Sequence, residues 1–137
     1  MLALQTGCLA AAALVSIAFG LRYLLAREFM GYHAEVAGRP WAELTTGFQV
    51  MVLGMYTIMG GGFITYGAAL LWLLVPLSRG EGWAALAALT LTAATLAPVL
   101  YVTLWLRSVR PAARTPVLPA AVVCVLAVIG SAAWFWT

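Results

Sequence analysis

Hydrophobic and charged positions alternate along this chain in blocks, and the blocks are long. The first apolar run is uncharged from the amino terminus to Leu21 and ends at Arg22, Arg27 and Glu28. A second run is uncharged from Leu44 to Ser78, a third goes from Gly82 to Leu106, and a fourth from Thr115 to Thr137. About 20 consecutive apolar residues suffice for a helix to cross the hydrocarbon of a bilayer. The pattern therefore predicts an all-α, polytopic membrane protein: a single domain, built as a four-transmembrane-helix bundle. The expected helices cover residues 2–27, 41–77, 82–107 and 116–136.

The second run is too long for one perpendicular span and too short for two spans with a turn. Pro40 suits the first turn of a helix, where its missing N–H would be unpaired anyway. We therefore expect one tilted helix from Pro40 or Trp41 to about Leu77. The alternative is a break at Gly60-Gly61-Gly62 into two half-helices, which would expose backbone groups to a cavity. The first run lacks the basic leading segment and small-residue cleavage site of a signal peptide, and is expected to stay as a helix.

Composition supports the membrane reading and narrows the partners. Of 137 residues, 65% are apolar and 8% charged, against about 25% charged in soluble domains. Mean hydropathy is +1.04. The seven basic residues are all arginines beside hydrophobic runs, a placement that fits head groups and membrane orientation, not nucleic acid. Six of them, Arg22, Arg27, Arg39, Arg107, Arg110 and Arg114, fall at the first and third connectors; Arg79 is alone at the second. By the positive-inside tendency, segments 27–43 and 107–115 are expected in the cytoplasm and both termini outside. Tyr23, Tyr32, Trp41 and Trp105 would mark the inner interface; Trp72, Trp83, Trp134 and Trp136 the outer one. Cys8 and Cys124 lie in the first and fourth apolar runs and are expected to be free, apolar-like side chains.

Small residues repeat on every run, and in lipid such seams let helices approach. The strongest is Gly47, Gly54, Gly61 and Ala68 at a seven-residue period, expected to be a helix-packing face, with Thr57 and Thr65 between. Those threonines are expected to bond back to carbonyls one turn earlier.

Acid–base groups gather only in the first connector: Arg27, Glu28, Tyr32, His33, Glu35, Arg39 and Glu43. His33 is the one side chain whose ordinary pKa lies near neutrality, and Glu28 or Glu35 could orient it as a general base. Glu35 and Arg39, one turn apart, would form a surface ion pair worth a few tenths of a kcal/mol. Arg27, Tyr32, His33, Arg39 and Arg107 form the candidate interfacial binding set, and Tyr101 is expected near Arg107. A zinc site needs three or four ligands, so no metal and no cofactor is expected. The middles of the runs hold no charge, which argues against a proton- or cation-coupled pump.

The segments Phe29-Met30-Gly31-Tyr32-His33 and Gly38-Arg39-Pro40-Trp41-Ala42-Glu43-Leu44, with Tyr101-Val102-Thr103 and Arg114-Thr115-Pro116-Val117 later, resemble a pattern in small bacterial inner-membrane proteins of unassigned function. The resemblance covers most of the chain. It implies a four-helix bacterial membrane protein and brings no activity with it.

Three functions follow in order of expectation. The first is a non-enzymatic component working by helix association, as a homo-oligomer or with another membrane protein. The second is a small-solute channel or transporter lined by the Gly/Thr face of the second run. The third is an interfacial enzyme or lipid-binding protein using His33 with Glu28, Glu35 and Arg39.

Overall fold

Uncharged apolar sequence leaves the backbone as the main source of hydrogen bonds, and helices satisfy that backbone locally. The computed structural model describes residues 2–132, and what it shows is accordingly helical: α1 (Leu2–Leu24), α2 (Gly31–Ala37), α3 (Thr46–Ser78), α4 (Gly82–Val109) and α5 (Val117–Ala132), with a 3-10 turn at Trp41–Glu43. Three of these, α1, α3 and α4, are long and apolar enough to cross a membrane. The described part of α5 has 16 residues, about 24 Å at 1.5 Å per residue.

The first connector is more structured than the apolar pattern predicts. Expected to reach residue 27, α1 ends at Leu24. Arg27 and Glu28 are exposed, and the chain turns there so that Phe29 and Met30 fold back onto the Tyr23–Val52–Tyr56 cluster. The short helix α2 then forms and stops at Gly38, whose φ of 66° and N–H to the Ala34 carbonyl make a left-handed cap that glycine adopts without steric cost. Pro40 does not open the long helix. It precedes the 3-10 turn, after which Leu44 and Thr45 are extended. Thr45 caps α3, its Oγ1 accepting from the Phe48 N–H at 3.4 Å, and satisfies one of the free amides of the first turn. Gln49 Nε2 donates to the Trp41 carbonyl at 2.9 Å and ties this turn to the helix.

From Thr46 to Ser78, α3 is continuous, and the expected alternative of a break at Gly60–Gly62 does not occur. Its 33 residues span about 50 Å, more than the hydrocarbon thickness. The turn into α4 uses Gly80 at φ 80° and the Pro76 carbonyl, which accepts from both Arg79 and Glu81.

The long helices form a ring in which α1 packs on α3 and α5, while α4 packs on α5 and α3. Small side chains and glycines make the α1–α3 contact close. A Cβ built on Gly20 would lie 2.7 Å from the Gly60 carbonyl oxygen, one on Gly60 2.8 Å from that of Gly20, and one on Gly67 2.7 Å from that of Ala13. Gly130 of α5 meets Leu9 and the Gln5 carbonyl of α1 in the same way. The stripe singled out in the sequence lies elsewhere. Gly47, Gly54 and Gly61 have nothing within 4 Å of an added Cβ, and Ala68 is exposed. The physical reason is rotational phase: residues 60 and 67 stand about 100° from 61 and 68 around a helix, so the neighbouring register takes the contact. Thr57 does bond back, to the Leu53 carbonyl at 3.0 Å.

Outward faces are apolar, with Ile58, Trp72 and Leu118 at 77%, 85% and 74% exposure. Such a surface belongs in hydrocarbon, since soluble proteins rarely expose large contiguous apolar patches. Cys8 and Cys124 are free thiols. Trp134 and Trp136, expected at the outer interface, lie outside the described residues.

Candidate functional site

At the arginine-rich end of the ring the helices part around a cavity of about 320 Å³. Ser16, Phe19 and Tyr23 of α1, Met59 and Phe63 of α3, Leu96 to Leu106 of α4, and Pro119, Ala120 and Val123 of α5 wall it. Ten residues of α4 separate Leu96 from Leu106, so the cavity is about 15 Å deep. Met59 and Val102 are exposed and mark a rim open to the side. Prolines contribute to the space: Pro98 inside α4 and Pro116 and Pro119 at the start of α5 offer no N–H and short side chains.

Tyr32 and His33, from α2, close the end of this cavity. No residue of α2 is fully buried, so the helix is held by specific polar and aromatic contacts. Tyr32 shares a 2.6 Å hydrogen bond with the Tyr23 hydroxyl. The His33 Nδ1 is hydrogen-bonded to the Tyr56 hydroxyl of α3. Behind them, Tyr23 meets Tyr56 edge-on at 5.3 Å and stacks on Phe63 at 5.9 Å. Phe29 meets Trp41 edge-on at 5.1 Å, a geometry aromatic quadrupoles favour.

The chemistry here differs from the cluster expected in the sequence. Tyr56 holds the His33 ring, not Glu28 or Glu35. Glu28 precedes α2 and lies with Arg22 and Arg27 along an open groove beside Phe29 and Trp41. Instead of pairing with Arg39, Glu35 accepts the Arg114 backbone N–H at 2.6 Å, which fastens α2 to the connector between α4 and α5. Arg27, Arg39 and Arg107 are exposed, as is Tyr101, and none of the four lines the cavity. Of the expected binding set, only Tyr32 and His33 do. Among the described residues, no three His, Cys, Asp or Glu side chains come together as metal ligands.

Burial sets the protonation of this end. It lowers the His33 pKa from 6.5 to about 4, because removing water penalises the charged imidazole. Burial also raises the Tyr32 pKa, and the Tyr23 hydroxyl adds to the effect. At neutral pH the end is therefore uncharged: a neutral imidazole among neutral phenols. An unfolded His33 takes its proton near pH 6.5, whereas the folded protein resists until about pH 4. The stability this contributes is whole above pH 6.5 and is lost as pH falls from 6.5 to 4. Thermal unfolding in detergent should show a level Tm from pH 7 to 8 and a decline below pH 6.5. The part of that decline between pH 6.5 and 5 should be missing in His33→Gln; an identical profile in the variant would refute the burial argument.

Tyr23 and Tyr56 are the candidate-site residues that the sequence pattern did not single out. Tyr23 follows Arg22 at the end of the first apolar run and reads as part of the interfacial aromatic belt, while Tyr56 sits inside the second run; they lie 10 and 23 positions from His33. The one available signal was chemical, since a hydroxyl buried near hydrocarbon needs a partner. Comparison of the chain with protein-family models, with curated proteins and with solved structures finds no match.

Proposed function

We propose that this protein is an integral membrane binding protein for a lipophilic small molecule, held in the cavity between the helices. The observation that carries this reading is the shape and chemistry of that cavity. Its walls are mostly hydrocarbon, and exposed Met59 and Val102 mark a side opening. Tyr23, Tyr32 and His33 gather at one end under α2, while the Ser16 and Thr103 hydroxyls bond back within their own helices. Ligand sites are commonly apolar clefts with a few convergent polar groups, and a lateral opening admits a molecule already dissolved in the bilayer. In this reading four helices span the membrane, α5 included, because Leu118, Val122, Val125 and Ile129 turn an apolar face outward. The arginines at the α2 end favour a cytoplasmic position for that end, with both termini outside, by the positive-inside tendency.

Filling the cavity tests the proposal. A decylbenzene carrying a diazirine should label, saturably, the peptides that contain Met59 and Val102 when the protein is in nanodiscs. Ala120→Phe should reduce that labelling about tenfold while leaving helicity and Tm unchanged. Saturable labelling that is equal in both proteins would sink the reading.

Self-association is a second reading with one observation in its favour: Gly47, Gly54 and Gly61 are unobstructed on the outer face of α3. Cross-linking that Gly54→Leu abolishes would support it. A solute path along the same face has no such support, since that face lies outside the ring.

A further inference from the structure

The cavity's hydrogen-bond inventory specifies the head group it would take. Among its polar wall residues, Ser16 donates to the Ala12 carbonyl at 2.8 Å and Thr103 to that of Leu100 at 2.9 Å. Both hydroxyl protons are thus spent inside their own helices. At the closed end the count differs. Tyr23 and Tyr32 carry two phenolic protons and use one between them. Whichever hydroxyl donates, the other keeps a free O–H, and both residues line the cavity. For His33 and Tyr56, the phenol is the better donor and the imidazole nitrogen the better acceptor. The Tyr56 O–H therefore points at Nδ1, and the ring proton sits on Nε2. Tyr56 engages Nδ1 alone and His33 lines the cavity, which leaves Nε2–H as a second donor. None of the arginines lines the cavity.

Resting on the reading of the cavity as a lipophile site, we propose that its closed end recognises an uncharged carbonyl head group, with His33 Nε2–H and one phenolic O–H of the Tyr23–Tyr32 pair as the two donors. A carbonyl oxygen has two lone pairs and no proton of its own, which matches donors lacking acceptors. An anionic head such as a phosphate would be stripped of water with no arginine in the cavity wall to pair with it. Arg22 reaches the Tyr23 and Tyr32 phenols only through its field, and a buried charge without a direct partner is costly. The cavity, about 320 Å³, falls at the lower end of small-molecule pockets, which run about 300–1,000 Å³, and suits a ring or ester head and its first chain carbons. The remaining chain leaves past Met59 and Val102 into the bilayer. Two lipid sources share this chemistry: a quinone ring and an acyl ester.

Competition against the decylbenzene photolabel tests the assignment with four probes. A decyl-substituted benzoquinone, dioctanoylglycerol, decyl phosphate and plain decylbenzene are titrated in nanodiscs. At least one carbonyl probe should displace the label at concentrations about tenfold below decyl phosphate and decylbenzene, and the more potent of the two identifies the source. His33→Phe keeps the ring among Tyr23, Phe29, Tyr32 and Tyr56 but has no N–H. It should cut the carbonyl probe's advantage three- to tenfold while plain decylbenzene competes as before, which shows an intact cavity. Tyr32→Phe leaves the Tyr23 O–H free and should bind the carbonyl probe nearly as wild type does; only Tyr23→Phe with Tyr32→Phe removes that donor. Decyl phosphate as potent as the carbonyl probes, or no loss in His33→Phe, overturns the head-group assignment and leaves the cavity reading standing. No saturable labelling of the wild type overturns both.

Discussion

Gly60→Ala and Gly67→Ala are each expected to destabilise the protein by about 1–3 kcal/mol, the usual cost of overpacking, although each adds one methyl to a helix interior. The new Cβ at residue 67 would lie 2.6 Å from Ile17 Cγ1 and 2.7 Å from the Ala13 carbonyl oxygen. At residue 60 it would lie 2.8 Å from the Gly20 carbonyl and from Leu24 Cγ. A flexible side chain gives way cheaply, but a backbone carbonyl on the facing helix moves only if α1 and α3 separate. Separation costs contact along the whole seam, because packing and not hydrophobic transfer holds helices together in lipid. Gly54→Ala and Gly61→Ala carry the opposite sign. Nothing stands within 4 Å of either Cβ, and alanine is about 0.5–1 kcal/mol better than glycine inside a helix. Reversible unfolding of the four variants in mixed detergent micelles measures both signs. Destabilisation at 54 and 61 with none at 60 and 67 would show that the α1–α3 register is wrong.

Tyr23→Ala is expected to have the largest effect on the candidate site. The side chain is 6% exposed, stacks on Phe63, meets Tyr56 edge-on and bonds the Tyr32 hydroxyl. Truncating a buried aromatic costs about 3–5 kcal/mol. Here the loss falls on the segment with least else to hold it. With no buried residue of its own, α2 is anchored by Tyr32 to Tyr23, by His33 to Tyr56 and by Glu35 to Arg114. Without Tyr23 the connector 25–45 should open locally before the long helices part. Limited proteolysis would then cut this connector at least tenfold faster than in wild type. Tyr23→Phe, which keeps the ring, should show little acceleration. Equal protection in Tyr23→Ala would mean that α2 is held by contacts other than these.

Much of the architecture is legible in the one-dimensional pattern. Apolar runs between arginine-bearing connectors foretell the long helices, since any uncharged run of that length must satisfy its backbone internally in hydrocarbon. The apolar outer faces and the helix hairpin at Ser78–Gly82 follow from the same pattern. Local chemistry near the connectors is less legible. Pro40 suits the start of a helix, yet the chain places a 3-10 turn and two extended residues after it, because Trp41 packs on Phe29 and Thr45 provides the cap.

The candidate site divides along the same line. Tyr32 and His33 stand out in the sequence as polar groups at an interface, and residue type alone marks them. Their partners do not. Sequence fixes how far apart two residues are along the chain, but the pairing of Tyr56 with His33 and of Tyr23 with Tyr32 depends on how α1 and α3 are rotated about their axes. That rotation is set by which glycines meet a facing carbonyl. A single-residue change of register, from Gly61 to Gly60, turns the helix by about 100°, and hydropathy is nearly blind to it when the whole run is apolar. Membership in the membrane was therefore decided by the amino-acid sequence itself, through the free energy of transferring apolar surface. The cavity, the pairing of its phenols and imidazole and the helix seam were decided by tertiary packing, where neighbouring glycine registers differ between a Cβ contact under 3 Å and open space to beyond 4 Å.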